Sequence, residues 1–133
     1  MNGNNQINCQ ICKQLTDGEV CSKIYLTPPY LVINFDYGKK IDKPIDFQFG
    51  ELIDLTNFTE EICKDRAYEL VSICAHIGPL GSKGHYIAYC KNQIQNENAP
   101  IWYKFNESFV SKVDFDEVRE QSPLFLIYRK KII

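Results

Sequence analysis

This 133-residue chain contains two histidines, His76 and His85, that could act as a general acid or base, and an asparagine, Asn106, that could orient one of them. His85 follows a glycine-rich run and opens an apolar segment, so the sheet would position it while a ligand could still reach it. Gly84 has no side chain, so a ligand backbone could pass close to it. His76 lies inside an apolar segment, where a packed or surface strand position is the simpler interpretation. Taken alone, His85 is more simply interpreted as a surface histidine than as a catalytic one.

Asn106 stands between two short apolar segments, in Phe105-Asn106-Glu107-Ser108. A turn asparagine is the simplest interpretation. Alternatively, its amide oxygen accepts a hydrogen bond from one ring nitrogen of His85, which would fix the tautomer and aim the other nitrogen at a thiol. That is the Cys-His-Asn arrangement of thiol hydrolases, in which the histidine lowers the pKa of the thiol.

The cysteines are six in number, and the first two have metal-ligand spacing. Cys9 and Cys12 form a CxxC knuckle, which is half of a tetrahedral zinc site, and structural sites usually take two such knuckles. Cys21 follows nine residues later, but no second CxxC exists in the chain. The zinc site is therefore predicted to be incomplete here. Zinc held by Cys9, Cys12, Cys21 and one distant cysteine is the alternative.

The other three cysteines do not have the surroundings of a nucleophile. A reactive cysteine usually needs a helix N-terminus or a cationic neighbour to form a thiolate. Cys74 and Cys90 lie in strand-like segments and are predicted to be small core residues. Cys63 is next to Lys64 but lacks a helix-opening context.

Composition excludes several classes of partner. The chain has 15 basic and 17 acidic residues, for a net charge of −2, which argues against a nucleic-acid surface. Its most apolar stretch ends at Asn34, far short of the roughly 20 residues of a membrane span. The N-terminus lacks the features of a secretory signal. We therefore expect an intracellular protein of the cytoplasm or nucleus, with neither nucleic acid nor membrane as partner, and with cysteines that are not in disulfides.

Hydrophobic alternation predicts a mostly antiparallel sheet with little helix. Residues 1–8 are polar and expected to be disordered, and Asp17-Gly18 is a hairpin-turn signal. Asp114 and Glu117 resemble a capping box that starts a short helix, which Pro123 would end. The segments predicted as strands are 20–35 (broken by Pro28-Pro29), 45–49, 68–77, 85–90, 101–105, 108–113 and, as a central strand, 124–128.

The order of seven segments resembles the C-terminal half of the catalytic domain of ubiquitin-specific proteases, the ubiquitin carboxyl-terminal hydrolases. The match covers residues 9–130, nearly the whole chain. Each segment alone is weak, whereas seven in the family's order are specific. They are Cys9-x-x-Cys12, 26–35, 52–55, 68–78 with His76-Ile77-Gly78, 84–89 with Gly84-His85-Tyr86, 102–110 with Trp102-Tyr103-Lys104-Phe105-Asn106, and 123–128.

This resemblance implies an α+β, papain-like cysteine protease fold, of which the chain supplies part of the fingers and most of the palm. It implies that His85 is the general base and Asn106 the third member of the triad. It places Gly78, Gly81, Gly84, Tyr86 and Trp102 around the C-terminal tail of ubiquitin. It also makes Cys9 and Cys12 half of a structural zinc site in the complete domain, while catalysis itself needs no cofactor.

The chain also departs from the family's pattern. The thumb with its Gly-Asn-Thr-Cys box and the first zinc knuckle are absent from this sequence, and Glu107 stands where the family often has Asp. Three hypotheses follow. The first is that the chain is part of a deubiquitinating thiol isopeptidase, whose partners are ubiquitin or ubiquitinated proteins and the N-terminal half of its own domain. The second is an inactive ubiquitin-binding or scaffold module, and the third is a small zinc or structural protein that shares only the fold. A part of a larger fold should expose apolar surface and tend to self-associate.

Overall fold

The structure is a computed structural model that describes residues 6–37, 47–60, 62, 64–78, 84–92 and 100–131. These ranges contain nine strands, one short α-helix and one 3-10 turn at Thr56–Phe58. The strands are β1 (Ile7–Asn8), β2 (Leu15–Thr16), β3 (Tyr30–Asn34), β4 (Leu52–Asp54), β5 (Ala67–Ile77), β6 (His85–Asn92), β7 (Ile101–Asn106), β8 (Phe109–Val113) and β9 (Pro123–Lys130), and the helix is α1 (Phe115–Arg119).

One seven-stranded antiparallel sheet forms the body of the described chain, with strand order β3-β9-β5-β6-β7-β8 and β4 paired to β5. A separate two-stranded hairpin joins β1 and β2. The antiparallel sheet with little helix and the central position of β9 are confirmed. No helix in the described ranges is long and apolar enough to cross a membrane.

Among the described residues, the core lies on one face of the sheet. Along β5 and β6 the buried side chains alternate with less buried ones, as expected for a sheet covered on one side. The face opposite the core leaves large side chains of β3, β6, β7 and β9 exposed. The buried cluster consists of Phe49, Tyr68, Leu70, Ile73, Ala75, Ile87, Tyr89, Trp102, Val118, Leu126 and Tyr128.

Helix α1 covers the core face over β6 and β7. Its Val118 is fully buried, and Phe115 packs against Trp102 with ring centroids 5.7 Å apart. Glu117 accepts hydrogen bonds from the Tyr89 hydroxyl at 3.2 Å and from Lys104 Nζ at 2.9 Å. These bonds attach the helix to both strands that carry the candidate site. Asp114 is the N-cap residue, but its side chain makes no capping bond.

An ion-pair network joins three strands near the other end of the sheet. Lys91 Nζ lies 3.3 Å from a Glu51 carboxylate oxygen and 3.5 Å from one of Glu69. Arg129 binds the second oxygen of Glu69 at 2.5 Å. The Lys91 side chain is only 9% exposed, so its charge is neutralised where water cannot do so.

The N-terminal predictions need correction. Ile7–Asn8 pair with Leu15–Thr16, so the segment 1–8 is ordered at its C-terminal end, while residues 1–5 lie outside the described ranges. The turn of this hairpin is the CxxC knuckle rather than Asp17-Gly18. Two backbone hydrogen bonds close this turn. The Lys13 amide donates to the Cys9 carbonyl, and the Cys9 amide donates to the Gln14 carbonyl.

Two predicted strands in the first half are also wrong or reduced. In the segment 20–35 only Tyr30–Asn34 is a strand, and residues 20–29 form a single bridge, between Ile24 and Thr59. Of the segment 45–49, the part described, 47–49, is not a strand, and the rest lies outside the described residues. No strand was predicted between residues 50 and 66, where the structure has β4 and then the 3-10 turn.

Cys74 and Cys90 are strand residues as predicted, but they are not in the core. Their register places them on the sheet face opposite Ile73 and Tyr89, and both are half-buried. Burial raises the pKa of the Cys74 thiol. Cys63 lies outside the described residues.

Candidate active site

His85 is the first residue of β6, and its position follows from the strand pairing. It pairs with Ile77 at the end of β5, and residues 78–84 connect the two strands. Side chains alternate along a strand, so His85 projects from the same face as the buried Ile87. Its side chain is 41% exposed, because it stands at the margin of the core.

Asn106 is the last residue of β7 and lies beside the start of β6. In the antiparallel register Ala88 pairs with Phe105, which puts Asn106 on the core face, diagonal to His85. A two-residue turn, Glu107-Ser108, then leads to Phe109, which pairs with Asn106. Both the neighbouring strand and this tight turn therefore hold the asparagine.

The two side chains form a hydrogen bond. His85 Nε2 lies 2.5 Å from Asn106 Oδ1. A side-chain amide oxygen can only accept, so Nε2 must carry the hydrogen and donate it. In neutral His85 the other nitrogen, Nδ1, then has a free lone pair. The geometry leaves Nδ1 able to accept a proton from a group placed on that side of the ring.

Glu107 lies on the Nδ1 side of His85. Its Oε1 is 3.8 Å from Nδ1, and its side chain is 74% exposed. An exposed carboxylate at this distance contributes little to stability. Glu107 has φ +52°, in the left-handed region that few residues other than glycine and asparagine adopt readily. The sequence identified Glu107 only as a departure from the family's Asp.

Glycines bracket the segment before His85. Gly78 has φ +118°, a conformation that an L side chain rarely adopts. A Cβ on Gly78 would lie 3.5 Å from the Cα of Gly84, so the two ends of the segment approach closely. Gly81 lies outside the described residues.

The two predicted aromatic positions differ sharply. Tyr86 is 63% exposed on the sheet face opposite the core, where its ring meets His76 edge-on. Trp102 is only 2% exposed and packs beneath α1. Its burial makes Trp102 a packing position, and the contact with a peptide tail that the resemblance implies stays a prediction. Its indole makes it the largest fully buried side chain of the described core.

The thiols of the described residues do not share a face with His85. Cys74 and Cys90 are on the opposite face of the sheet, and the remaining described cysteines, Cys9, Cys12 and Cys21, precede β3. The site therefore contains a histidine and an asparagine that are joined by a hydrogen bond. The nucleophile of a Cys-His-Asn site would have to come from outside the described residues.

The CxxC knuckle has the local geometry of a metal-ligand turn. Backbone amides of Cys12 and Ile11 donate to the Cys9 sulfur, and together with the Cys12 side chain they lower the pKa of the Cys9 thiol. Lys13 adopts φ +58° to close the turn. Amide-to-sulfur bonds favour the thiolate that zinc requires. No group of three or more metal-binding side chains occurs among the described residues, so the knuckle fits half of a zinc site and no more.

Comparison with known proteins identifies the family. The model of the ubiquitin carboxyl-terminal hydrolase family matches residues 1–128. Ubiquitin carboxyl-terminal hydrolase 25 of Arabidopsis thaliana is 34% identical over 98% of this chain. Probable ubiquitin carboxyl-terminal hydrolase 16 of Schizosaccharomyces pombe is 31% identical over 96%. The chain belongs to the ubiquitin carboxyl-terminal hydrolase family, but it spans only 20% and 28% of the lengths of these two relatives.

Solved structures with the same fold support the assignment. The SAGA DUB module of Ubp8, Sgf11, Sus1 and Sgf73 bound to monoubiquitin matches 98% of this chain and 29% of its own, with a TM-score of 0.73 and 26% identity. The same module bound to ubiquitin aldehyde matches 99% and 31%, with a TM-score of 0.73 and 25% identity.

Proposed function

We propose that this chain supplies the histidine and asparagine of a deubiquitinating thiol isopeptidase, with the nucleophilic cysteine contributed by the part of the catalytic domain outside it. The observation that carries the proposal is the bond between His85 Nε2 and Asn106 Oδ1. It supports a fixed tautomer with Nδ1 open, as a base for a thiol must have.

The proposed reaction assigns one task to each group. Nδ1 of His85 takes the thiol proton, and the thiolate attacks the carbonyl carbon of the bond after the last residue of ubiquitin. The C–N bond then breaks, and the imidazolium returns its proton to the departing amine. Water hydrolyses the resulting thioester, with His85 again as base. Asn106 keeps the ring aligned throughout.

A papain-like arrangement accounts for the shape of the described fold. The exposed end of β6 and the turn after β7 would form one wall of a cleft, and the domain part with the cysteine would form the other. The substrate class would be ubiquitin joined to a protein amine. This follows from the family and from the neighbours whose structures contain ubiquitin.

The test compares the complete catalytic domain with its His85→Ala variant on ubiquitin carrying a C-terminal fluorogenic amide. We expect the parent domain to release the fluorophore and the variant to lose at least about 10³-fold in kcat. The variant should still bind ubiquitin. A parent domain that binds ubiquitin but cleaves nothing would instead identify an inactive binding module.

We also propose that Cys9 and Cys12 provide two of four thiolates for a structural zinc ion in the complete domain. The lowered pKa of Cys9 supports this, since metal binding requires deprotonated thiols. Zinc measured on the purified complete domain should be stoichiometric and should be lost in Cys12→Ser. The matched control is Cys21→Ser, an exposed cysteine outside the knuckle that should leave the zinc content unchanged.

A further inference from the structure

His76, the other histidine, lies on the strand next to that of the candidate base, on the opposite face of the sheet. It is the penultimate residue of β5, and it pairs across the sheet with Tyr86. The next pair along the strands is Ile77 with His85. His76 and His85 therefore project from opposite faces of the sheet and do not touch through their rings.

The His76 ring contacts both chain neighbours of His85. Its edge meets the Tyr86 ring with centroids 5.1 Å apart and planes at 61°. On its other side the ring lies against Gly84, so closely that a Cβ added to Gly84 would overlap three of its atoms. It also approaches Gly78, where a Cβ would lie 3.9 Å from ring atom Cε1.

His76 is a half-buried residue, and the position of one of its ring nitrogens is unfavourable in itself. His76 Nδ1 is buried and has no hydrogen-bond partner in the described part of the chain. A buried polar atom without a partner generally destabilises the folded state. The described contacts of the His76 ring are therefore packing contacts, and the ring makes them with Gly84 and Tyr86.

We infer that His76 is a positioning residue for the proposed reaction, acting through Gly84 and Tyr86 to fix the backbone from which His85 projects. This inference rests on the proposed function of His85. It explains why the residue before the base is a glycine, since any side chain there would displace the His76 ring. A shift of about 1 Å in a catalytic group can cost roughly 10²-fold in rate.

The kinetic test uses the complete catalytic domain and the ubiquitin fluorogenic amide. We expect His76→Ala to lower kcat at least about tenfold with KM nearly unchanged, because the base is misplaced while ubiquitin still binds. His76→Phe keeps a flat ring and should retain most of the activity. An equal loss in both variants, or none in the alanine variant, would overturn the inference.

The contact with Gly84 is tested by a double-mutant cycle. Gly84→Ala should reduce kcat strongly alone, and much less in the His76→Ala background, where the ring no longer occupies the space. Gly50→Ala is the matched control, because a Cβ there would meet its nearest atom at 3.4 Å. Additive losses in the cycle would show that the ring and Gly84 do not act together.

A spectroscopic arm separates failure of this inference from failure of the proposed function. The chain has two histidines, so His76→Phe leaves only His85. Imidazole nitrogen NMR of the chain should show a single tautomer with hydrogen on Nε2 in the parent and in His76→Phe, and averaged tautomers in His76→Ala. An inactive parent domain would refute the proposed function, whereas an unchanged His85 signal in a folded His76→Ala chain would refute the role of His76. If His76→Ala does not fold, the same imidazole nitrogen spectra recorded on His76→Phe and Gly84→Ala test the role of His76.

Discussion

His85 and Asn106 lie 21 residues apart in sequence and are joined by a 2.5 Å hydrogen bond from Nε2 to Oδ1. The bond is a product of sheet register, because the start of β6 and the end of β7 meet as antiparallel neighbours. It selects the tautomer that leaves Nδ1 free. The proposed function depends on this one relationship more than on any other in the described chain.

Replacing Glu107 by Asn should stabilise the fold. Glu107 has φ +52°, which asparagine tolerates better than glutamate does. We expect the free energy of unfolding to rise by up to about 1 kcal/mol, measured by urea denaturation. Ser108→Asn changes the other residue of the same turn and is the control, since Ser108 has no positive φ. Equal stability changes at the two positions would contradict the assignment of strain to Glu107.

Glu69 should make stability depend on pH in the acid range. Its burial opposes ionisation, but the hydrogen bond from Arg129 and the charge of Lys91 outweigh this and hold the pKa of Glu69 below its ordinary value. A lowered folded-state pKa means that the stabilisation is present above the unfolded pKa, about 4.3, and is lost as pH falls through the folded pKa. Glu69→Gln should unfold more easily at pH 7, by about 1–3 kcal/mol, and show a flatter profile below pH 5. Glu60→Gln, at an exposed position, should change neither the free energy of unfolding at pH 7 nor its profile below pH 5.

Tyr128 should make stability depend on pH in the alkaline range, where stability is lost as pH rises. Burial raises the pKa of Tyr128 to about 12, and its hydroxyl donates to the Gly50 carbonyl at 2.8 Å. The unfolded tyrosine ionises near pH 10, so the unfolded state gains stability first and the free energy of unfolding falls between about pH 10 and 12. Tyr128→Phe should flatten this part of the profile, whereas the exposed Tyr30→Phe should not. Identical alkaline profiles for Tyr128→Phe and the parent would contradict the assignment.

The isolated chain should self-associate through the sheet face opposite the core. Tyr30 and Val32 are 57% and 56% exposed on strand β3, and Phe125 of the neighbouring strand is 40% exposed. Exposed apolar surface of this kind is covered in most stable proteins. Val32→Lys should shift the chain toward monomer in sedimentation, more than Ile11→Lys, which lies in the knuckle. A parent chain that is monomeric over a wide concentration range would contradict this.

Regular alternation made the second half of the fold predictable. In the segments 68–77 and 85–90 buried side chains alternate with less buried ones, apart from a register shift between Leu70 and Ser72, and the structure shows the strands β5 and β6 there. The first half was harder because apolar content alone does not specify a strand. Residues 20–29 are rich in apolar side chains, yet most of them are exposed and only Ile24 forms a bridge. Pairing partners, which the local sequence does not contain, decide such cases.

The candidate site was predictable in its residues but not in its geometry. The resemblance assigned roles to His85 and Asn106, while the ring nitrogen that bonds to Asn106 needed the register of β6 against β7. The burial of Trp102 depends on where α1 packs, and the contacts of His76 depend on the approach of Gly84. A glycine before a candidate base was the only sequence signal of that packing.

The role of the His85–Asn106 hydrogen bond is tested by substituting Asn106 in the complete catalytic domain and measuring kcat on the ubiquitin fluorogenic amide. We expect Asn106→Ala to lower kcat by about 10²-fold or more, because the ring of His85 loses the acceptor that fixes its tautomer. Asn106→Asp, which keeps an acceptor oxygen, should restore much of the rate, and Asn34→Ala at an exposed strand position should have no effect. Full activity of Asn106→Ala in a folded domain would contradict the account.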